Sequence, residues 1–272
     1  MQKNLFNYYK KYLPINENTP FVSIGEGFTP LVKSENLSDK YKCNIYFKLE
    51  GSNPTGSFKD RGMFLTVAKT LEKKKKKIIC ASTGNTSASA AAYGAKYNLE
   101  TVVIIPKGKI ALGKLIQAMA YGAKIISING NFDESLLAVK DISDSLDFEI
   151  VNSINPYRLE GQKTGAFEII EQLGFSPDFQ FIPVGNAGNI SSYWKGYKQF
   201  YENTDNISDE RIILQAGTYK SIGQRPWIYE TSNEFVNGLV LLINAVDKLL
   251  NTKLIIRIRE MDECSLPALA KL

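Results

Sequence analysis

Short apolar, β-branched runs alternate along this chain with stretches whose apolar residues recur at helical spacing. Residues 45–49, 78–80, 102–105, 124–127 and 179–184 carry the strand pattern, and 61–72, 86–97, 111–121, 132–145 and 161–173 the helical one. Strand and helix taken in turn predict an α/β protein with a mostly parallel sheet. The rhythm is clearest over 78–127, a β-α-β-α-β unit the size of one small domain. A second group begins near Tyr157 and contains the strand FQFIPV. Two α/β lobes are therefore expected, with a cleft between them of the kind where ligands usually bind.

Composition narrows the chemistry more than the fold. A chain of 272 residues, 44% of them apolar, suits one large or two ordinary globular domains. It contains no histidine, which excludes Ser-His-Asp and Cys-His catalysis and every histidine metal site. A general base must then be Lys, Asp, Glu, Tyr or Cys. Cys43, Cys80 and Cys264 are far apart and form no CxxC pair, so neither a zinc site nor a disulfide framework is expected, and a reduced cytoplasmic protein fits best. The N-terminus lacks the apolar core of a signal peptide, and the stretch 238–246 is shorter than the about 20 residues that span a membrane. The net charge of +5 is spread among mixed signs and gives no strong case for nucleic acid. Five consecutive lysines, 73–77, read either as an anion-binding patch or as the solvated end of a helix; the absence of interleaved aromatics favours the second.

Four segments carry candidate chemistry. In NPTGSFKDRG (53–62), turn residues lead to Ser57, placed to cap a helix running from about Phe58, with Lys59 in its first turn. The helix dipole disfavours a cation there and so favours a neutral amine, the form an imine requires; the alternative is an ordinary surface lysine. In STGNTSAS (82–89), hydroxyl and amide side chains open an Ala-rich helix and suit an anion or a ring oxygen, or simply a polar cap. In VGNAGN (184–189), Gly185 and Gly188 allow backbone N–H groups to converge on a phosphate, or form a tight strand-helix turn. The loop lacks the ending of a nucleoside-triphosphate motif. In NSINPYRLEGQKT (152–164), Arg158 and Lys163 suit a phosphate or carboxylate, or belong to a capped linker between lobes.

Together with GEGFTPL (25–31), these motifs resemble, in type and order, the pyridoxal 5'-phosphate (PLP) enzymes of the tryptophan-synthase-β kind, fold type II, and the threonine synthases in particular, over about residues 5–203. That resemblance implies a two-lobed open parallel-sheet fold, with a small domain at 53–152 and a large, discontinuous PLP domain at 1–52 and 153–272. It implies that Lys59 is the Schiff-base lysine and later a general base. Asn85 is similar to the residue that hydrogen-bonds the phenolic oxygen of PLP, and Phe58 to the residue beside the ring. Gly185, Asn186, Ala187, Gly188 and Asn189 are similar to the loop holding the cofactor phosphate. Thr83, Lys114, Asn152, Ser153 and Arg158 are similar to positions that hold the substrate's phosphate or carboxylate. The implied reaction is that of a carbon–oxygen lyase in threonine biosynthesis, converting O-phospho-L-homoserine and water to L-threonine and phosphate. A homodimer is compatible with it. A Ser/Thr dehydratase of the same fold, or a PLP-binding remnant without turnover, are the alternatives.

Beyond about Asp205 the sequence reads differently. A strand at 211–215 and an amphipathic helix at 233–250 are expected there, but the later Ser/Thr residue facing the PLP pyridine nitrogen is not identifiable. A frameshifted or replaced tail, an incomplete large domain and impaired catalysis are the corresponding expectations.

Overall fold

The computed structural model describes residues 3–108, 112–182, 187–202, 211–216 and 252–257, and the chain divides into two compact units, 1–172 and 173–272. The first unit opens with α1 (Leu5–Tyr8), capped by the Asn4 side chain. Its Tyr9 and the following Tyr12 pack on Phe167, with Phe28 stacked on Tyr9. The strands β1 (Leu31–Lys33) and β2 (Tyr46–Lys48) form an antiparallel pair joined through α2 (Glu35–Tyr41).

The body of this unit is built from α3 (Lys59–Glu72), β3 (Lys77–Ala81), α4 (Asn85–Lys96), β4 (Glu100–Pro106), α5 (Leu112–Ala120), β5 (Lys124–Ile128), α6 (Phe132–Leu146), β6 (Glu149–Ile150), α7 (Pro156–Gln162) and α8 (Thr164–Leu173). The sheet runs β5-β4-β3-β6 with every neighbouring pair parallel. Central β3 and β4 are buried almost throughout, which is why they read as unbroken apolar runs rather than alternating ones. Edge strand β5 has no fully buried residue, with Lys124, Ile126 and Ser127 exposed. Ile79, Ala81, Val102, Ile104, Val139 and Phe148 form the core beneath α6.

Two features fix α3. Gly62 on α3 meets Gly161 on α7 so closely that a Cβ on Gly161 would lie 2.1 Å from the Arg61 carbonyl oxygen, so only glycine permits this helix contact. Arg61, wholly buried, is gripped by Glu50 through Nε at 2.7 Å and Nη2 at 2.8 Å, and by both oxygens of Glu168. Lys48 completes the cluster on Glu168 at 2.7 Å, and Thr29 donates to Glu50. The charges are paired and hydrogen-bonded on every side, the condition under which burial of ions is tolerated.

The helix expected over 161–173 is two helices, α7 and α8, separated at Lys163. Asn155 caps α7 and Pro156 occupies its first position, so the start was legible as an Asn-Pro pair. Three lysines of the 73–77 run have partners within the first unit. Lys73 and Lys75 pair with Glu149, Lys75 also with Asp147, and Lys77 reaches the Leu146 carbonyl. Lys69 and Lys73 both lie over the Tyr157 ring.

In the second unit, α9 (Gly188–Glu202) is followed by the parallel pair β7 (Arg211–Ala216) and β8 (Thr252–Arg257). The strand expected at 211–215 is thus present; β8 was not anticipated. Residues 179–182 carry no strand ladder, and Phe179 and Phe181 are exposed. An apolar run becomes a strand only where a partner strand accepts its backbone. Pro183, Val184, the helix expected at 233–250 and Cys264 lie outside the described residues.

Candidate active site

Lys59 is the first residue of α3, and its backbone N–H donates to Ser57 Oγ at 3.3 Å. Ser57 therefore touches the helix start, although Phe58 occupies the cap position itself. The Lys59 side chain is half-buried, with Nζ 4.5 Å from the Phe58 ring centroid. Among the described residues it makes no hydrogen bond and no ion pair. Burial, aided by the nearby Arg158 cation, pushes its ammonium down to about 7. An amine of which a substantial fraction is neutral near pH 7, and which has no partner among the described residues, is suited to attack a carbonyl carbon and to accept a proton from carbon.

Arg158 is completely buried on α7. Nη1 donates to the Val151 carbonyl at 2.8 Å and Nη2 to Gln162 Oε1 at 3.1 Å, while Nε has no partner. It forms no ion pair with any described carboxylate, and desolvation lowers its guanidinium to about 10. In this arrangement Arg158 acts on Lys59 through its field.

Helix α4 supplies the polar groups opposite. Thr83, Asn85 and Thr86 are half-buried at its N-terminal end, and none of their side chains is engaged by a described residue. Ser89, one turn after Asn85 and on the same helix face, donates to Asp60 Oδ1 at 2.6 Å. That bond joins the start of α3 to α4. Lys114 on α5 donates to the Thr55 carbonyl at 2.8 Å and to Gln117 at 3.2 Å. Asn152 is spent on the backbone of Ala81, donating to its carbonyl at 2.9 Å and accepting from its N–H at 3.0 Å. It acts as a surrogate strand residue where β3 ends and the 82–85 loop begins. Ser153 is half-buried in the turn that follows.

Thus Lys59, Phe58, Thr83, Asn85, Lys114, Asn152, Ser153 and Arg158 all belong to the first unit, around the beginnings of α3, α4 and α7. In the second unit, Ala187 adopts the left-handed φ of 60° just before Gly188 opens α9, with Asn189 half-buried behind it. A non-glycine residue held at that φ is a strained position of the kind found in ligand-binding turns. Gly185 and Asn186 lie outside the described residues. Sequence reasoning missed Asp60, Thr55 and Ser89; the spacing of Thr55 and Asp60 around a Gly-Ser turn was the available signal. Among the described residues there is no cluster of acidic or cysteine side chains that could hold a metal ion, and no helix long and apolar enough to cross a membrane.

The neutral amine is directly testable. Reductive methylation with formaldehyde and cyanoborohydride, followed by peptide mapping, is expected to show Lys59 reacting with a midpoint near pH 7, far below an ordinary lysine. Arg158→Met removes a cation that disfavours the ammonium, so the midpoint moves upward. An unchanged midpoint in that variant would assign the whole depression to burial.

This α/β fold with its parallel sheet is that of the PLP enzymes of fold type II. The threonine deaminase isoform 2 from Solanum lycopersicum superposes with a TM-score of 0.62 over 97% of this chain and 88% of that one, at 20% identity. The family described as "Pyridoxal-phosphate dependent enzyme" matches residues 22–229, and the chain belongs to it. The match runs beyond Asp205, where the sequence motifs had ceased to be readable. Threonine synthase of Halalkalibacterium halodurans is 58% identical over 200 residues, which cover 74% of this chain and 56% of that relative. Threonine synthase of Synechocystis is 51% identical over 228 residues, covering 83% and 59%. The chain therefore spans little more than half the length of these relatives.

Proposed function

We propose that this chain binds PLP through Lys59 and carries the threonine-synthase reaction, converting O-phospho-L-homoserine and water to L-threonine and phosphate. The observation that carries the cofactor reading is the half-buried Lys59 amine at the start of α3, without a partner among the described residues and depressed to about 7. The 51–58% identity to threonine synthases supports the reaction.

The donor set fits the cofactor. Lys59 supplies the neutral amine for covalent attachment, Phe58 an aromatic face beside it, and Asn85 an uncommitted amide for a ring oxygen. The loop Gly185, Asn186, Ala187, Gly188 and Asn189 is the phosphate cradle in this reading. Bound PLP supplies an electron sink for charge developing on the substrate carbons. The protein's own part is proton traffic and anion binding. Once free and neutral, Lys59 Nζ can take a proton from the substrate α-carbon and, after giving that proton up again, one from the β-carbon, a task suited to a base poised near neutral pH. Thr83, Lys114 and Ser153 provide hydroxyl and cationic groups for the substrate phosphate or carboxylate, and the buried Arg158 adds positive charge from behind rather than a direct contact. Asn152 contributes by holding Ala81, and through it the loop bearing Thr83 and Asn85.

The test is to incubate the protein with PLP and O-phospho-L-homoserine and measure phosphate and threonine. Equal amounts of both are expected. Production of a 2-oxo acid from serine or threonine, with no phosphate release, would favour a dehydratase instead. Neither product, with Lys59 still covalently labelled, would reduce the function to cofactor binding.

A further inference from the structure

We infer that Asp60 is a positioning residue whose carboxylate locks the loop before Lys59 to helix α4, so that the amine and the polar first turn of α4 are held in one arrangement. The inference rests on Lys59 being the attachment lysine.

Asp60 is fully buried and directly follows Lys59. Both its oxygens are used. Oδ2 accepts the Thr55 N–H at 2.8 Å, and Oδ1 accepts the hydroxyls of Thr55 and Ser89, each at 2.6 Å. The two bonds to Thr55 close a ring over Gly56, Ser57, Phe58 and Lys59, and Gly56 supplies the left-handed φ of 79° that the reversal needs. Gly56 N–H also donates to the Asn53 carbonyl at 2.7 Å, so the turn is closed twice. The third bond leaves this ring for Ser89, on the face of α4 that bears Asn85 one turn earlier. Thr55 is held from a further side, where its carbonyl accepts Lys114 Nζ. The Asp60 carbonyl accepts the Tyr93 hydroxyl at 3.2 Å, a second link to α4.

Asp60 touches neither reacting atoms nor, in this reading, the cofactor. Its contribution is geometric. A lysine chain has four rotatable bonds, so the direction of Nζ depends on a fixed backbone at its root. Misplacement of a reacting group by about 1 Å costs on the order of 100-fold in rate. A loop clamp that served stability alone would leave the rate of attachment per folded molecule unchanged.

The experiment measures covalent attachment of PLP to Lys59 at saturating cofactor. Attachment is followed by cofactor absorbance and fixed with borohydride for peptide mapping, and it is normalised to folded protein by circular dichroism. Thr55→Val removes one hydroxyl while keeping shape and N–H; Thr55→Ser keeps the hydroxyl; Ser89→Ala cuts only the link to α4. Thr55→Val and Ser89→Ala are each expected to slow attachment about 10-fold, and Thr55→Ser to restore it to within about twofold of the unmodified protein. Unchanged rates in the Val and Ala variants, or losses that merely follow the folded fraction, would overturn this inference alone. Label on a different lysine in the unmodified protein would overturn the cofactor reading, and this inference with it.

Discussion

Lys59→Ala is expected to abolish covalent attachment of PLP while leaving the fold intact. The side chain makes no hydrogen bond or ion pair with a described residue, so removing it deprives no buried group of its partner. Its amine is held in a poorly hydrated place beside the Arg158 cation, an arrangement that disfavours the charged form. Truncation relieves that cost, and the variant should unfold at a urea concentration equal to or above that of the unmodified chain. The attachment signal, in contrast, should fall to background. No other described lysine opens a helix with its amine depressed toward neutrality by burial and a neighbouring cation. Borohydride reduction with peptide mapping separates the possibilities, since a residual adduct elsewhere would show that the reactive amine had been misassigned.

Arg61→Met should have the opposite character, with a large loss of stability from a residue that does no chemistry. Glu50 and Glu168 are held below the usual carboxylate range by Arg61 against the desolvation that pushes them up. With the guanidinium present, both remain charged at neutral pH, and the stability they contribute is lost only as pH falls through their depressed values. Without it, burial dominates and their pKa values rise. The variant should then lose stability as pH increases through those raised values, a dependence opposite in sign. Removing one partner of a buried ion cluster costs about 3–5 kcal/mol, a large part of a typical margin of about 5–15 kcal/mol. Urea midpoints at pH 5 and pH 7 test both claims. A variant as stable at pH 7 as at pH 5 would show that Lys48, Thr29 and the Phe28 N–H suffice for the two carboxylates.

The central strands β3 and β4 were legible because their burial is continuous, whereas α1, α2, β1 and β6 were not anticipated. A run such as Val102–Ile105 is buried on both faces of the sheet, the environment that gives an unbroken apolar stretch. The position of Lys59 at a helix start was legible because a turn, a small polar residue and a helix pattern meet at one place. The role of Asn152 was not, because a side-chain amide that imitates a strand backbone has no periodicity to betray it. Nor was the use of the lysine run, since the partners of Lys73 and Lys75 at Asp147 and Glu149 are more than 70 residues away. The break between α7 and α8 was hidden because GQKT is compatible with a continuous helix. Near that break Gly161 packs against the Arg61 backbone, a tertiary contact the local sequence does not announce.

The pairing of β3 with β6, extended by Asn152 onto Ala81, has a consequence for how the chain is made. Ala81 and Asn152 are 71 residues apart. At synthesis rates of about 5–20 residues per second, the strand Lys77–Ala81 waits several seconds on the ribosome before β6 and Asn152 have been added. Throughout that interval it has β4 on one side once Glu100–Pro106 has emerged, and an open edge of apolar residues on the other. Between completion of β4 and arrival of Asn152, the nascent chain therefore carries an unpaired apolar strand edge of the kind that promotes misassembly.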